Sequence, residues 1–212
     1  MYLDLIKPLK RKDQVLIESK LTEEKERCKK AIKLSEEGIK VALVSSGESG
    51  FYGMAGLLLE LLQKIKKKYR PYFEVHPGIS SVQLAAALSG APLMNDFCSI
   101  SLSDKLTPWP LIKKRLKGAL IGDFVIALFN PQSIERNWQL KSAIGLCLKS
   151  RKGVTPVLIA RQVGRENQSK KYFTLNNIPF KEIDMLSILI IGNSQTTLID
   201  EIFLTPRGYL KN

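Results

Sequence analysis

VALVSSGESGFYGMAG, running from Val41 to Gly56, is the stretch on which the reading of this chain turns. Val41 to Val44 are apolar or β-branched and suit a strand buried on both faces, while Ser45 to Gly50 supply three serines and two glycines where the chain must turn. A helix-compatible run follows. A buried strand that ends in a Gly-rich loop and feeds a helix leaves backbone N–H groups at its carboxyl end, where open α/β sheets hold ligands. The spacing of Gly47, Gly50 and Gly53 is not the dinucleotide fingerprint, and no Lys-Ser/Thr pair follows to make a P-loop. A tight strand-to-helix turn without a ligand explains the stretch equally well.

Working outward, the pattern alternates strand and helix, which argues for a parallel α/β architecture. Gln14–Glu18 is a candidate strand, and Thr22 is placed to cap a helix that stops at Gly38. After the Gly-rich loop, Leu57, Leu58, Leu61, Leu62 and Ile65 are spaced for burial in a helix from Phe51 to Tyr69. The basic run Lys64 to Arg70 reads as a solvated helix end, where cations complement the helix dipole. Tyr72–Val75 is expected as another strand, and His76-Pro77-Gly78 turns into a helix from Ile79 to Leu88. Ser80 and Ser81 stand where that helix begins and can face the same cleft as the Gly-rich loop, although plain N-capping accounts for at least one of them. His76, at a strand end, is expected as a packed, hydrogen-bonded side chain.

Ser89-Gly90-Ala91-Pro92 is the strongest boundary signal and places domains at 1–94 and 95–212. Beyond it, strands are expected at Cys98–Leu102, Phe124–Phe129, Pro156–Ala160, Lys171–Leu175 and Ser187–Ile191, with helices at Trp109–Ile121 and Ile134–Lys149. Three strands between Pro156 and Asn193 leave little room for a helix, so the second domain is expected to hold a mixed sheet.

Composition narrows the function classes. Three cysteines in no C-x-x-C pair and one histidine argue against a disulfide framework, a zinc site or an all-protein transition-metal site. There is no apolar run of membrane-spanning length and no signal-peptide core at the start, which reads as a soluble cytoplasmic protein. A net charge of +13 predicts attraction to anions, whether nucleic acid, polycarboxylate or phosphate-bearing metabolite.

The motifs VALVSSGESGFYGMAG, HPGISSVQLAAALSGAPLMNDF, SISLSDKLTPWPLIKKRL, DFVIALFNPQS, TPVLIARQVGRE and IGNSQTTLIDEIFLTPRGY, in that order, resemble the precorrin-3B (cobalt-factor III) methyltransferases of cobalamin biosynthesis. The first two blocks are shared by all two-domain tetrapyrrole methyltransferases, whereas SLSDKLTPW and IGNSQT…TPRGY are more particular to this branch. The resemblance implies two α/β domains, the first mainly parallel and the second a mixed sheet, with S-adenosylmethionine in a trough between them. It implies a methyl transfer to carbon 17 of the macrocycle with ring contraction.

By the same resemblance Ser46, Gly47, Glu48 and Tyr52 line the cofactor, with Ser80 and Ser81 beside them. Phe129, Asn130, Arg161 and Gln162 approach it from the second domain. Methyl transfer rests on holding an already electrophilic sulfonium methyl in line with the nucleophilic carbon. Ring contraction needs a proton taken from a macrocycle hydroxyl and a leaving oxygen stabilised, and Ser101, Ser103, Asp104 and Thr107 are the polar groups expected to act. The alternative for Ser103 and Asp104 is that they shape the turn after a strand. A polycarboxylate tetrapyrrole gives the basic charge a purpose, and a homodimer is expected without membrane or nucleic-acid partners.

Two departures stand out. Family members begin with a strand and a Gly-x-Gly-Pro-Gly loop upstream of the YLDLI that here follows Met1, so either the start is assigned too late or the gene is degenerate, and an exposed apolar strand edge is expected. Where the family has Gly-Asp-Pro-Gly, this chain has Gly47-Glu48-Ser49-Gly50, with a longer carboxylate arm and without proline's fixed φ. Two other readings keep the fold: a ribosomal RNA methyltransferase, and a tetrapyrrole-binding protein that has lost catalysis.

Overall fold

The computed structural model describes residues 5–20 and 23–210. The chain divides into two compact units, Met1–Ser80 and Ser81–Asn212, so the boundary motif at Ser89–Pro92 falls inside the second.

In the first unit, helices α1 (Glu24–Glu36) and α2 (Met54–Gln63) pack through buried Cys28, Ile32, Met54, Ala55 and Leu62. The Thr22 cap lies outside the described residues. α2 is shorter at both ends than the apolar spacing predicts. Its start is set by Tyr52, at φ 57°, and by Gly53, where a Cβ would come within 2.5 Å of the Ser49 carbonyl. At its end Arg70 caps the helix, donating from Nε to the Ile65 carbonyl (2.7 Å) and from Nη2 to that of Gln63 (3.0 Å). The basic run does serve the helix terminus, as its position implied.

The parallel sheet expected in this unit is not formed among the described residues: Gln14–Glu18, Val41–Val44 and Tyr72–Val75 join no ladder. Val41, Val44, Phe73 and Val75 are all exposed. Strand propensity is largely packing against paired neighbours, and these segments have none to pack against. The mostly exposed His76 side chain is likewise not packed but faces Glu74 across 3.6 Å.

The second unit opens with α3 (Ser81–Ser89) and β1 (Gly90–Ala91). β2 (Phe97–Ser101), α4 (Trp109–Ile121), β3 (Val125–Phe129) and α5 (Trp138–Leu148) follow. β4 (Pro156–Arg161), β5 (Ser169–Thr174), β6 (Ser187–Ile191), β7 (Thr197–Ile199) and β8 (Ile202–Leu204) complete it. The main sheet has the order β2-β3-β6-β4-β5, with β2 and β3 parallel and the remaining pairs antiparallel. This is the mixed sheet that the crowding of strands after Pro156 predicts. β1, β8 and β7 form a small second sheet.

Strand alternation sorts the main sheet's residues onto two faces. Ile100, Ile126, Leu128, Val157, Ile159, Leu189 and Ile191 pack under α4 and α5, with Ile112, Leu116, Leu140 and Ile144 completing that core. At the far end of the strands, Arg151, whose side chain is only 4% exposed, ties three connections together, donating to the carbonyls of Phe124 and, at 2.5 Å, Gly192. α5 starts four residues later than its apolar spacing predicts because Ser133 and Arg136 close a turn through paired backbone hydrogen bonds.

Candidate functional site

The Gly-rich loop of the first unit lies against the turn His76–Ser80, backbone on backbone. Gly47 adopts φ +73°, and a Cβ added to Gly78 would meet the Gly47 carbonyl oxygen at 2.1 Å. At Gly78 such proximity leaves room for no side chain, and at Gly47 it is the left-handed φ that favours glycine. Ser49 Oγ donates to the His76 carbonyl (3.2 Å), and the Phe51 amide to that of Glu48 (3.1 Å), so the loop is fixed from both sides. Gly47 and buried Ser80 are brought together here. Glu48 folds back over Gly50, Ser46 is exposed, and Tyr52 stacks at a tilt on Phe51 with ring centroids 5.1 Å apart. Ser81 begins α3 in the second unit.

In the second unit the polar residues gather where β2, β3 and β4 end. β3 and β4 both run antiparallel to β6, and β2 runs parallel to β3, so the three carboxyl ends lie along one edge. Asn130 (φ 48°) and Gln162 (φ 52°) both take the left-handed conformation immediately after their strands. For residues with a Cβ this costs about 1–3 kcal/mol, a strain concentrated at functional sites. Asn130 Nδ2 donates to Ser101 Oγ (3.0 Å), and so does the Ser103 amide (3.2 Å). With both acceptor positions of Ser101 filled, its hydroxyl is left to donate.

Asp104 Oδ2 accepts from Gln139 Nε2 at 2.9 Å, while Oδ1 accepts no hydrogen bond among the described residues. Arg136, only 6% exposed, donates from Nη1 to the Leu102 carbonyl (3.1 Å) and from Nη2 to Met185 Sδ (3.3 Å). Burial lowers its pKa, opposed by the nearby Asp104 charge. Ser101, Leu102 and Asp104 are thus held by three different side chains. Thr107 makes no side-chain hydrogen bond to them among the described residues.

Phe129 is the cross-strand partner of Ser101 and shares its face of the sheet. Arg161 pairs with Ser187, on the opposite face, and its guanidinium is committed to Asp184 (Nη2–Oδ2 2.8 Å, Nε–Oδ2 2.9 Å). Burial opposes ionisation of Asp184, but hydrogen bonds from Arg161, Ser187 and the Leu186 amide outweigh it and hold its carboxyl below the ordinary range. Arg136 and Gln139 do not emerge from motif reading. The available signal is their spacing: two polar residues three apart, in phase with Leu140 and Ala143 on the buried side of a helix start.

The crossed backbones of the first unit and the strained strand ends of the second, with their hydrogen-bonding side chains, are each the kind of place where α/β folds hold a ligand. Among the described residues no cluster of His, Cys, Asp or Glu could hold a metal ion, and no helix is long and apolar enough to cross a membrane.

A mixed α/β second unit with its polar residues along the strands' carboxyl edge defines the class, and comparison supplies the family. Residues 2–179 match the tetrapyrrole (corrin/porphyrin) methylases, and the chain belongs to that family. It is 45% identical over 197 residues to a Salmonella typhimurium protein named "Probable cobalt-factor III C(17)-methyltransferase", covering 93% of this chain and 81% of that one. A Sinorhizobium protein named "Precorrin-3B C(17)-methyltransferase" is 35% identical over 205 residues, covering 94% of this chain and 81% of its own. The crystal structure of the methyltransferase CobJ superposes with a TM-score of 0.88 at 32% identity, covering 93% of this chain and 82% of that one.

Proposed function

We propose that the protein is an S-adenosylmethionine-dependent methyltransferase of cobalamin biosynthesis that methylates carbon 17 of cobalt-factor III or precorrin-3B with ring contraction. The observation that carries this is 45% identity sustained over 93% of the chain and 81% of a relative named for that reaction. S-Adenosylmethionine supplies the electrophilic methyl group. The crossed loops at Gly47 and Gly78, with Ser46, Glu48, Tyr52 and Ser80, and Ser81 at the start of α3, hold the donor. Phe129, Asn130 and Gln162 contribute to donor binding, while Arg161, whose guanidinium is paired with Asp184, contributes its place at the end of β4 beside Gln162. Asp104, with Oδ1 open and Oδ2 held by Gln139, takes the macrocycle hydroxyl proton, and the Ser101 hydroxyl donates to the departing oxygen. Ser103 and Thr107 flank them in the same loop. The protein works as a cytoplasmic homodimer.

The test is to incubate the protein with S-adenosylmethionine and cobalt-factor III, then analyse the product by mass spectrometry and the donor's affinity by calorimetry. Micromolar donor binding and a product heavier by one methyl group are expected. Tetrapyrrole binding without donor binding would refute the enzyme reading and leave a binding protein.

A further inference from the structure

We propose that Arg136 anchors a carboxylate substituent of the tetrapyrrole, an inference that rests on the substrate class proposed above. Its guanidinium is buried, yet among the described residues no carboxylate lies within ion-pair distance, and the nearby Asp104 is hydrogen-bonded instead to Gln139. Its described partners are one carbonyl and one thioether, and Nε donates to nothing among the described residues. A buried cation without an anion is costly, so such a group is poised to gain from one that arrives.

Met185 makes the exchange feasible. Its sulfur is a weak acceptor for a guanidinium N–H, its side chain is flexible, and the residue is about half exposed. A carboxylate that displaces the thioether replaces a weak contact with a charge-assisted hydrogen bond, and the planar fork of arginine favours two of them. The two loops that hold Arg136 also carry unusually exposed apolar side chains. Leu106 is 98% exposed, Ile134 is 99% exposed, and Trp138 leans edge-on against Trp109 with ring centroids 4.9 Å apart. Apolar surface around one buried cation is the complement of a macrocycle with a flat apolar body and carboxylate arms.

The experiment is an absorbance titration of wild type, Arg136→Lys and Arg136→Met with cobalt-factor III and with its methyl ester, alongside thermal melts and calorimetry with S-adenosylhomocysteine. Loss of charge-assisted hydrogen bonds weakens carboxylate binding by roughly 10- to 100-fold. We expect that loss for the acid in Arg136→Met, a smaller one in Arg136→Lys, and neither for the ester. Unchanged affinity for the acid, or equal losses for acid and ester, would overturn the proposal and leave Arg136 as a clamp on Leu102. If Arg136→Met fails to fold, Arg136→Lys decides by the same acid-against-ester comparison. A wild-type protein that binds S-adenosylhomocysteine but not cobalt-factor III would instead bring down the substrate reading itself.

Discussion

Replacing Gly78 by alanine tests the crossed loops directly. The added methyl would lie 2.1 Å from the Gly47 carbonyl oxygen, where real Cβ contacts essentially never fall below 3.0 Å. The obstacle is backbone, so no flexible side chain can swing aside, and the two loops must part by roughly 1 Å. Such overpacking costs about 1–3 kcal/mol. For a chain of this size that lowers the melting temperature by roughly 2–12 °C. The functional effect should be larger than the thermal one, because a displacement of roughly 1 Å in a positioning element can cost about 100-fold in rate. Calorimetry with S-adenosylmethionine, circular-dichroism melts and single-turnover methyl transfer measure the three quantities. A variant that melts with wild type and binds the donor equally well would refute the assignment of these loops to the donor.

Other perturbations follow from the same geometry. Gly118 lies inside α4 with nothing within 4 Å of where its Cβ would stand, so Gly118→Ala should stabilise the fold by about 0.5–1 kcal/mol and raise the melting temperature. The depressed Asp184 contributes stability that is fully present above its ordinary value near 3.8 and is lost as pH falls through its lower folded value. Asp184→Asn should therefore be less stable than wild type at neutral pH, with the gap closing in acid; a gap independent of pH would contradict the Arg161 pairing. Burial pushes the Cys98 and Cys147 thiols up to about 11, against the pull of Arg151, so both should resist alkylation at pH 8 in the native protein and react once it unfolds. Peptide mapping after brief iodoacetamide treatment reads this out.

The second unit was largely legible from the sequence. Val125–Phe129 and the four residues 188–191 are apolar throughout because both faces of their strands are covered, and Trp109–Ile121 carries its helical period and a proline in its first turn. The short strands β1, β7 and β8 were not legible, since two or three residues give no period to read. In the first unit the strand signal at Val41–Val44 was strong but local, and a strand exists only through hydrogen bonds to a neighbour.

The same division runs through the site. Ser101, Ser103 and Asp104 stand together in one motif, so the chain order alone made them candidates. Arg136 and Gln139 reach that motif from a helix start more than thirty residues away. Side-chain burial and long-range hydrogen bonding are properties of the packed chain, and no spacing rule encodes them. The sequence by itself determined the α/β class, the family and the loops that carry the polar residues, because periodicity and motif order are local and cumulative. Only the tertiary structure decided which side chains hold the Ser101–Asp104 loop, which face of the sheet Arg161 takes, and that Arg136 is buried without a carboxylate partner among the described residues, because each depends on where distant segments pack.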